Sequence, residues 1–535
     1  MKKRPHIIIF NPDEMRWDTM GHMGNPAAST PFLDSFAEKE AVSFSQAFCQ
    51  NPVCVPSRCS FFTGLYPHVR GHRTMNHLLH PDEPDLFSEL KANGYHVWMN
   101  DRNDLYAGQI PGWFEEHSDV IFYGGEKATV NRTEKMSGFR EGDPDLYSHY
   151  EGKVLPNAEG KVVIPDQESV DAAAEYIRNY DREEPLCLFL GLLYPHVPYQ
   201  VEEPYYSKID RSKLPARIPF GECEGKSKIV GSIRHYQQLS DMSEAEWDEI
   251  RAVYLGMCSK IDALFEELCQ ALKDAGMYDD SAIFFLSDHG DFAGDYDLTE
   301  KAQSAYEDCL SRVPLLIKPP KGERLDQGTT DSLAELVDFY ATAVDYAGIE
   351  PLYTHFGRSL RPVIEDRKAS VREYVHCEGG RLPEEKHCDE YHSFGPDGPD
   401  PHFVYWPKMK AQLDDEAHAK GMMIRSDEYK YIERISGENE FYCLKDDPQE
   451  RHNRIADPEC QDVISRMRIE LLHWLMETSD TVPYTYDARF TEEMVWRKVC
   501  RLCPPGKEEE TRRKIREGVN MFTLIAELRE AQQNK

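Results

Sequence analysis

Three short apolar runs, Ile7-Ile8-Ile9-Phe10, Leu186 to Leu193 and Ala282 to Leu286, constrain the fold of this chain more than any other feature. Each is of strand length and passes at once into polar residues: Asp13-Glu14 after the first, His196 after the second, Asp288-His289 after the third. Strand-like runs that alternate with helical patterns predict an α/β fold, a mostly parallel sheet sandwiched by helices. In such sheets ligands bind beyond the carboxyl ends of the strands, so three strand ends bring metal-ligating or acid-base residues to one edge. Between the second and third runs, Ile250, Val253, Tyr254, Met257, Ile261, Leu264 and Leu268 recur at helical spacing and predict one long amphipathic helix from Ala245 to Ala275.

Composition changes after about residue 370. The stretch Gly379 to Pro407 is rich in Gly, Pro, His and Asp and reads as a long loop or insertion. Gly421 to Ile432 and Glu440 to Leu444 then read as strands of a smaller antiparallel sheet, followed by a helix at Glu459 to Thr478. The expected organisation is a catalytic domain over residues 1–375 and a smaller C-terminal α+β domain over 376–535. At the C-terminus Val519, Phe522, Ile525 and Leu528 could form one apolar helix face, a candidate surface for homo-oligomerisation.

Charge narrows the function classes. With 95 acidic against 62 basic residues the net charge is -33, which repels nucleic acid and anionic membranes alike. No stretch approaches transmembrane length, and the N-terminal run is too short for a signal-peptide core. Fourteen cysteines without a repeating framework fit reduced thiols, so a cytoplasmic location is expected.

The richest chemical signal is Asn51-Pro52-Val53-Cys54-Val55-Pro56-Ser57-Arg58, with Thr63-Gly64 downstream. Pro56 suits a first helical turn and the run Cys59 to Thr63 is helix-compatible, which places residue 54 near a helix N-terminus where backbone N–H groups favour an oxyanion. Arg58 adds a fixed cation. A lone cysteine here would read as a buried loop residue; the surrounding Pro-Ser-Arg and Thr-Gly point elsewhere. They resemble the signature of the type I sulfatases, C-x-P-S-R followed by T-G, in which the cysteine is oxidised to formylglycine. The family usually has leucine where Phe62 stands.

That resemblance implies an alkaline phosphatase-like fold, and a chemistry. A formylglycine aldehyde hydrates to a geminal diol; one hydroxyl attacks sulfur beside a divalent cation, and the other later expels the sulfate. Ser287-Asp288-His289-Gly290, with Leu298, Glu300 and Lys301 downstream, is similar to the family pattern S-D-H-G-x-x-x-G…L-x-E-K. It implies Asp13, Asp288 and His289, with Glu14 as a fourth group, as ligands of one cation, Ca²⁺ first and Mg²⁺ or Mn²⁺ as alternatives. Lys301 matches the lysine that contacts the transferred group. Pro195-His196-Val197-Pro198-Tyr199 resembles P-H-x-P-Y, whose histidine touches the leaving-group oxygen, so His196 is the candidate proton donor.

One stretch departs from the family. Where many relatives read G-K-W-H-L, this chain has Arg102 in place of the lysine and Asp104 in place of the histidine. Arg102 keeps the charge and adds a fork for an oxyanion; Asp104 must be paired with Arg102, bonded to the diol or turned to another part of the substrate. His72 and Arg73 are the nearest reserve candidates. The expected activity is hydrolysis of a small or carbohydrate sulfate monoester, after a maturation enzyme has converted Cys54. The alternatives are a phosphonate monoester or phosphodiester hydrolase, suggested by His289 at the second metal position, and a binding protein with Cys54 unconverted. Loops 106–165 and 379–407 match no motif and are expected to form the outer pocket.

Overall fold

The computed structural model describes residues 4–124, the backbone of 132–134, and residues 147–157, 159–482, 484 and 489–533. Part of the loop expected at 106–165 lies outside the described residues. The three apolar runs form strands β1 (His6–Asp13), β5 (Leu186–Pro195) and β6 (Ser281–Leu286). Five further strands, β2 (Val42–Phe44), β3 (His96–Asn100), β4 (Val120–Phe122), β7 (Leu315–Lys318) and β8 (Gly328–Thr330), complete an eight-stranded sheet of order β8-β2-β7-β6-β1-β5-β3-β4. Only β7 runs against its neighbours. Strands β6, β1 and β5 are adjacent and parallel, with Ile8 opposite both Ile283 and Leu188, so Asp13, Leu286 and Pro195 end at the same edge.

Alternation along these strands divides the core between two faces. Ile8, Phe10, Leu188, Leu190, Ile283 and Phe285 pack with the long helix α4 (Glu244–Asp274), together with residues of α1 (Pro31–Lys39) and α3 (Pro165–Arg178). Helix α4 starts at a capping box, with Ser243 accepting from the Glu246 amide and the Glu246 side chain bonding back. On the other face Phe189 and Phe284 meet α2 (Cys54–Thr63) and α5 (Val337–Ala347) through aromatic contacts. Phe62, the residue standing in place of leucine, lies 4.7 Å from the Phe87 ring and 5.1 Å from that of Phe189. Its larger volume is thus absorbed by an aromatic cluster that a leucine would not fill in the same way.

The chain gathers into two compact units, residues 1–351 with 355–481, and residues 352–354 with 482–535. The expected division at residue 375 falls inside the first unit, at strand β9 (Val375–Gly379). With β10 (Gly421–Arg425), β11 (Tyr429–Arg434) and β12 (Glu440–Cys443) this strand forms the small antiparallel sheet. Val375, Cys377, Met423, Ile432 and Tyr442 share one apolar cluster with Phe48 and Tyr306, and α6 (Gln461–Thr478) packs on Ile424, Tyr431 and Phe441. The small sheet therefore completes the core of the unit that carries the main sheet.

The second unit holds α7 (Glu492–Val499), α8 (Glu508–Arg516) and α9 (Met521–Gln533) around Val495, Val499, Leu524 and Leu528. The C-terminal face differs from the expected one. Leu524 joins Leu528 inside, whereas Phe522 is 73% exposed, because the helix buries its 524/528 row against α7. No helix among the described residues is long and apolar enough to cross a membrane.

Candidate active site

Each candidate side chain hangs from an end of the sheet or from the helix beside it. Cys54 opens α2, with Val53 as the N-cap, so its Sγ lies at the end where backbone N–H groups have no intrahelical partner. The helix stops at Gly64, whose φ of 70° is left-handed and whose missing Cβ would lie 2.8 Å from the Tyr340 ring. This gives the Thr63-Gly64 pair its structural reason. Gly290 is required for closeness instead, since a Cβ there would meet the Cys309 carbonyl at 2.0 Å.

One ligand atom each from Asp13, Cys54, Asp288 and His289 lies within 4.8 Å of the others. Cys54 Sγ is 3.1 Å from His289 Nε2 and 3.4 Å from Asp13 Oδ1. The His289 tautomer follows from its surroundings. Its Nδ1 faces the Gly290 carbonyl at 2.9 Å and must donate there, which leaves the Nε2 lone pair turned toward Asp13 at 3.5 Å. Two buried carboxylates and a neutral imidazole form a donor set that fits a hard divalent cation. Glu14 belongs to a second group, with Asp13 and His196, and its Oε1 has no hydrogen-bond partner. One Glu14 carboxylate oxygen within 4.8 Å of ligand atoms of Asp13 and His196 also suits a cation.

Arg58 is fully buried and lines no part of the cleft. Its Nε donates to Asp288 Oδ2 at 2.8 Å and Nη2 to Asp13 Oδ2 at 2.8 Å, while Nη1 lies 3.3 Å from Asp104 Oδ2. Asp104, expected to pair with Arg102, to bond the diol or to turn to another part of the substrate, is paired to Arg58 while lining the cleft, and it takes a left-handed φ of 53°. Arg102 donates from Nη2 to Asp13 Oδ2 at 2.7 Å, and its side chain remains 30% exposed to the cleft. Burial opposes the charge on Asp13, yet Arg102 and Arg58 hold its carboxyl well below the usual range.

Lys301 Nζ donates to Glu14 Oε2 at 3.0 Å and to His196 Nε2 at 2.7 Å. His196 Nδ1 donates to the Val197 carbonyl at 2.7 Å, so Nε2 is the acceptor in this pair. Burial, then the Lys301 charge, depresses His196 well below its ordinary value. Burial also disfavours charge on Lys301, but Cys54, Glu14 and Glu300 around it keep the ammonium protonated. Burial, then Asp13, pushes the Cys54 thiol up, so an unmodified Cys54 is a poor nucleophile here.

These groups open into a cleft of about 430 Å³. Cys54, Arg102, Asp104, His196 and Lys301 line it together with Glu300, Glu390, Ser393, Phe394, Tyr405, Lys408 and Met409. His72 bonds Glu83 and Arg73 bonds Glu385, and neither lines the cleft. Glu300, unassigned from the sequence, lies between Lys301 at 3.0 Å and Lys408 at 2.7 Å. Lys408 sits one residue beyond the loop expected to form the outer pocket, in a stretch without any motif to mark it.

The family model described as sulfatase matches residues 5–349, and the chain belongs to that family of sulfuric ester hydrolases. It is 26% identical to an arylsulfatase K of Danio rerio over 87% of this chain and 83% of that protein. Among solved structures, a phosphonate monoester hydrolase of Agrobacterium radiobacter matches with a TM-score of 0.67 at 22% identity, covering 89% of this chain and 96% of the other. A structure solved in complex with D-glucosamine-2-N,6-O-disulfate matches with a TM-score of 0.65 at 20% identity over 89% of this chain and 97% of the other.

Proposed function

We propose that this protein hydrolyses a sulfate monoester of a small molecule or a sugar, using a formylglycine made from Cys54 by a maturation enzyme. One divalent cation, Ca²⁺ first, would be held by Asp13, Asp288 and His289, with Glu14 beside them. The observation that carries the reading is the convergence of Cys54, at a helix N-terminus, with two buried carboxylates and an imidazole at the floor of a cleft walled by Arg102, His196 and Lys301.

When present, formylglycine supplies the oxygen nucleophile and the cation neutralises developing charge on sulfate oxygens. The chain's own residues do the rest. Arg102 and Lys301 both line the cleft and would hold the sulfate oxygens with two cations. The Lys301 ammonium, kept protonated, can hydrogen-bond the leaving oxygen as negative charge develops there, and the neutral His196 imidazole, whose Nε2 accepts from Lys301, orients that ammonium. Arg58 acts through others: it fixes Asp13, Asp288 and Asp104 in the orientations that the site requires. Fourteen free thiols are consistent with residence in a reducing cytoplasm, and self-association through the C-terminal segment belongs to the same reading.

The mass of the peptide containing residue 54 tests conversion, and a panel of sulfate monoesters, phosphate diesters and phosphonate monoesters on converted protein tests the reaction. Turnover of phosphonates alone would favour the second reading, a phosphonate monoester hydrolase, which His289 and the likeness to the Agrobacterium enzyme support.

A further inference from the structure

The cleft lining includes a buried carboxylate oxygen with no hydrogen-bond partner. Glu390 is only 3% exposed and lines the cleft, yet its Oε1 accepts no hydrogen bond, while Oε2 has only a long contact of 3.5 Å with Gln412 Nε2. Leaving such an acceptor bare costs free energy, which a ligand donor can recover. The residue is also held in place. Its backbone N–H donates to Gln412 Oε1 at 2.7 Å and Ser393 Oγ donates to its carbonyl at 2.6 Å.

Around it stand groups of two further kinds. Lys408 lines the same wall, with Nζ 2.7 Å from Glu300 Oε1 and 4.6 Å from the Tyr405 ring centre. Phe394, Phe403 and Tyr405 form a chain of ring contacts at 5.1 and 5.4 Å, and Phe394 is 52% exposed. An anionic acceptor, a cationic donor and an apolar ring platform within one cleft match a molecule that carries several hydroxyls on an otherwise apolar ring. A substrate ammonium fits less well, because Lys408 already places a positive charge near Glu390.

We propose that Glu390, Lys408, Phe394 and Tyr405 form a sugar subsite, in which Glu390 accepts hydrogen bonds from hydroxyls of the sugar whose sulfate lies over residue 54. The substrate class is then a sulfated monosaccharide unit rather than an aryl sulfate. This inference rests on reading the cleft as a sulfatase active site. A site built to bond hydroxyls discriminates strongly against molecules that lack them.

Calorimetry in a Cys54→Ala background, where nothing is turned over, tests it with glucose 2-, 3- and 6-sulfate, N-acetylglucosamine 6-sulfate and 4-nitrophenyl sulfate. At least one sugar sulfate should bind more tightly than 4-nitrophenyl sulfate. Glu390→Gln should weaken that sugar by about tenfold or more and the aryl ester by less than about a third of that factor. Phe394→Ala, which removes a half-exposed ring without disturbing the core, should weaken the sugar several-fold. The subsite is overturned if every sugar sulfate binds no better than the aryl ester, or if Glu390→Gln weakens both alike. If the converted parent hydrolyses no sulfate ester while the sugar preference and its loss are observed, the reaction assignment fails and the subsite stands.

Discussion

Arg58→Met removes the single guanidinium that serves three carboxylates. Asp13 and Asp288 are both fully buried, and each loses a charge-assisted hydrogen bond of 2.8 Å; Asp104 loses its partner at 3.3 Å. Breaking a buried ion pair from one side costs about 3–5 kcal/mol, because the other charge stays behind without compensation. Two charge-assisted bonds at about 1.5–3 kcal/mol each lead to the same range. With an unfolding entropy of about 2.1 cal/mol/K per residue, a loss of 1 kcal/mol lowers the melting temperature of a chain this long by about 1 °C, so a fall on the order of 3–6 °C is expected. The perturbation also has a built-in control. A divalent cation at the same carboxylates replaces part of the lost charge, so the fall should be largest in chelator and shrink when Ca²⁺ is added. Arg58→Lys, which restores charge without the fork, should fall in between. Differential scanning calorimetry on the three proteins with and without Ca²⁺ decides the matter. A melting temperature for Arg58→Met within about 1 °C of the parent in chelator would refute the reasoning.

Further outcomes follow from the same geometry. Cys54→Ala should keep its fold and lose all but about a hundredth or less of turnover, measured as kcat on the best sulfate ester. Chelation should abolish activity, and Ca²⁺, Mg²⁺ or Mn²⁺ should restore it to the parent but not to Asp288→Asn, as titration of the metal into dialysed enzyme would show. Arg102→Ala should raise KM and lower kcat together, since Arg102 faces the substrate in both ground and transition states; a silent variant would remove Arg102 from the oxyanion site. Stability should also carry a pH signature. Burial raises Asp262, which accepts the Phe32 and Leu33 amides at the start of α1, to about 7. A carboxyl that binds its proton more tightly folded than unfolded loses stability as pH rises from about 4 through about 7. Melting curves at pH 5 and pH 8 should therefore differ less for Asp262→Asn than for the parent.

The centre of the fold was legible because β1, β5 and β6 are apolar throughout and end in chemically distinctive residues. Strong periodicity likewise marked α4 to within a residue at either end. Short strands at one side of the sheet, Val42–Phe44 and Gly328–Thr330, carry too few residues to show any period, and they are defined by pairing that the sequence does not display. In the site, the residues that bear motifs were readable, whereas the pairing of Asp104 was not. Its partner Arg58 lies 46 positions away in sequence, and nothing local says that one buried guanidinium serves three carboxylates. Glu390 and Lys408 were missed for a related reason: the meaning of Lys408 comes from its ion pair with Glu300, and that of Glu390 from lining the same cleft.

The apolar cluster that joins Phe48 and Tyr306 to Val375, Met423 and Tyr442 limits how such a chain can diversify. A fragment ending before Val375 would expose Phe48, six residues ahead of Cys54, and with it the approach to the nucleophile's helix. Recombination at that point yields no free-standing catalyst. The segment between β9 and β10, held at its ends by the two strands while its interior borders the cleft, is instead where substitution can reshape the cleft without opening the core.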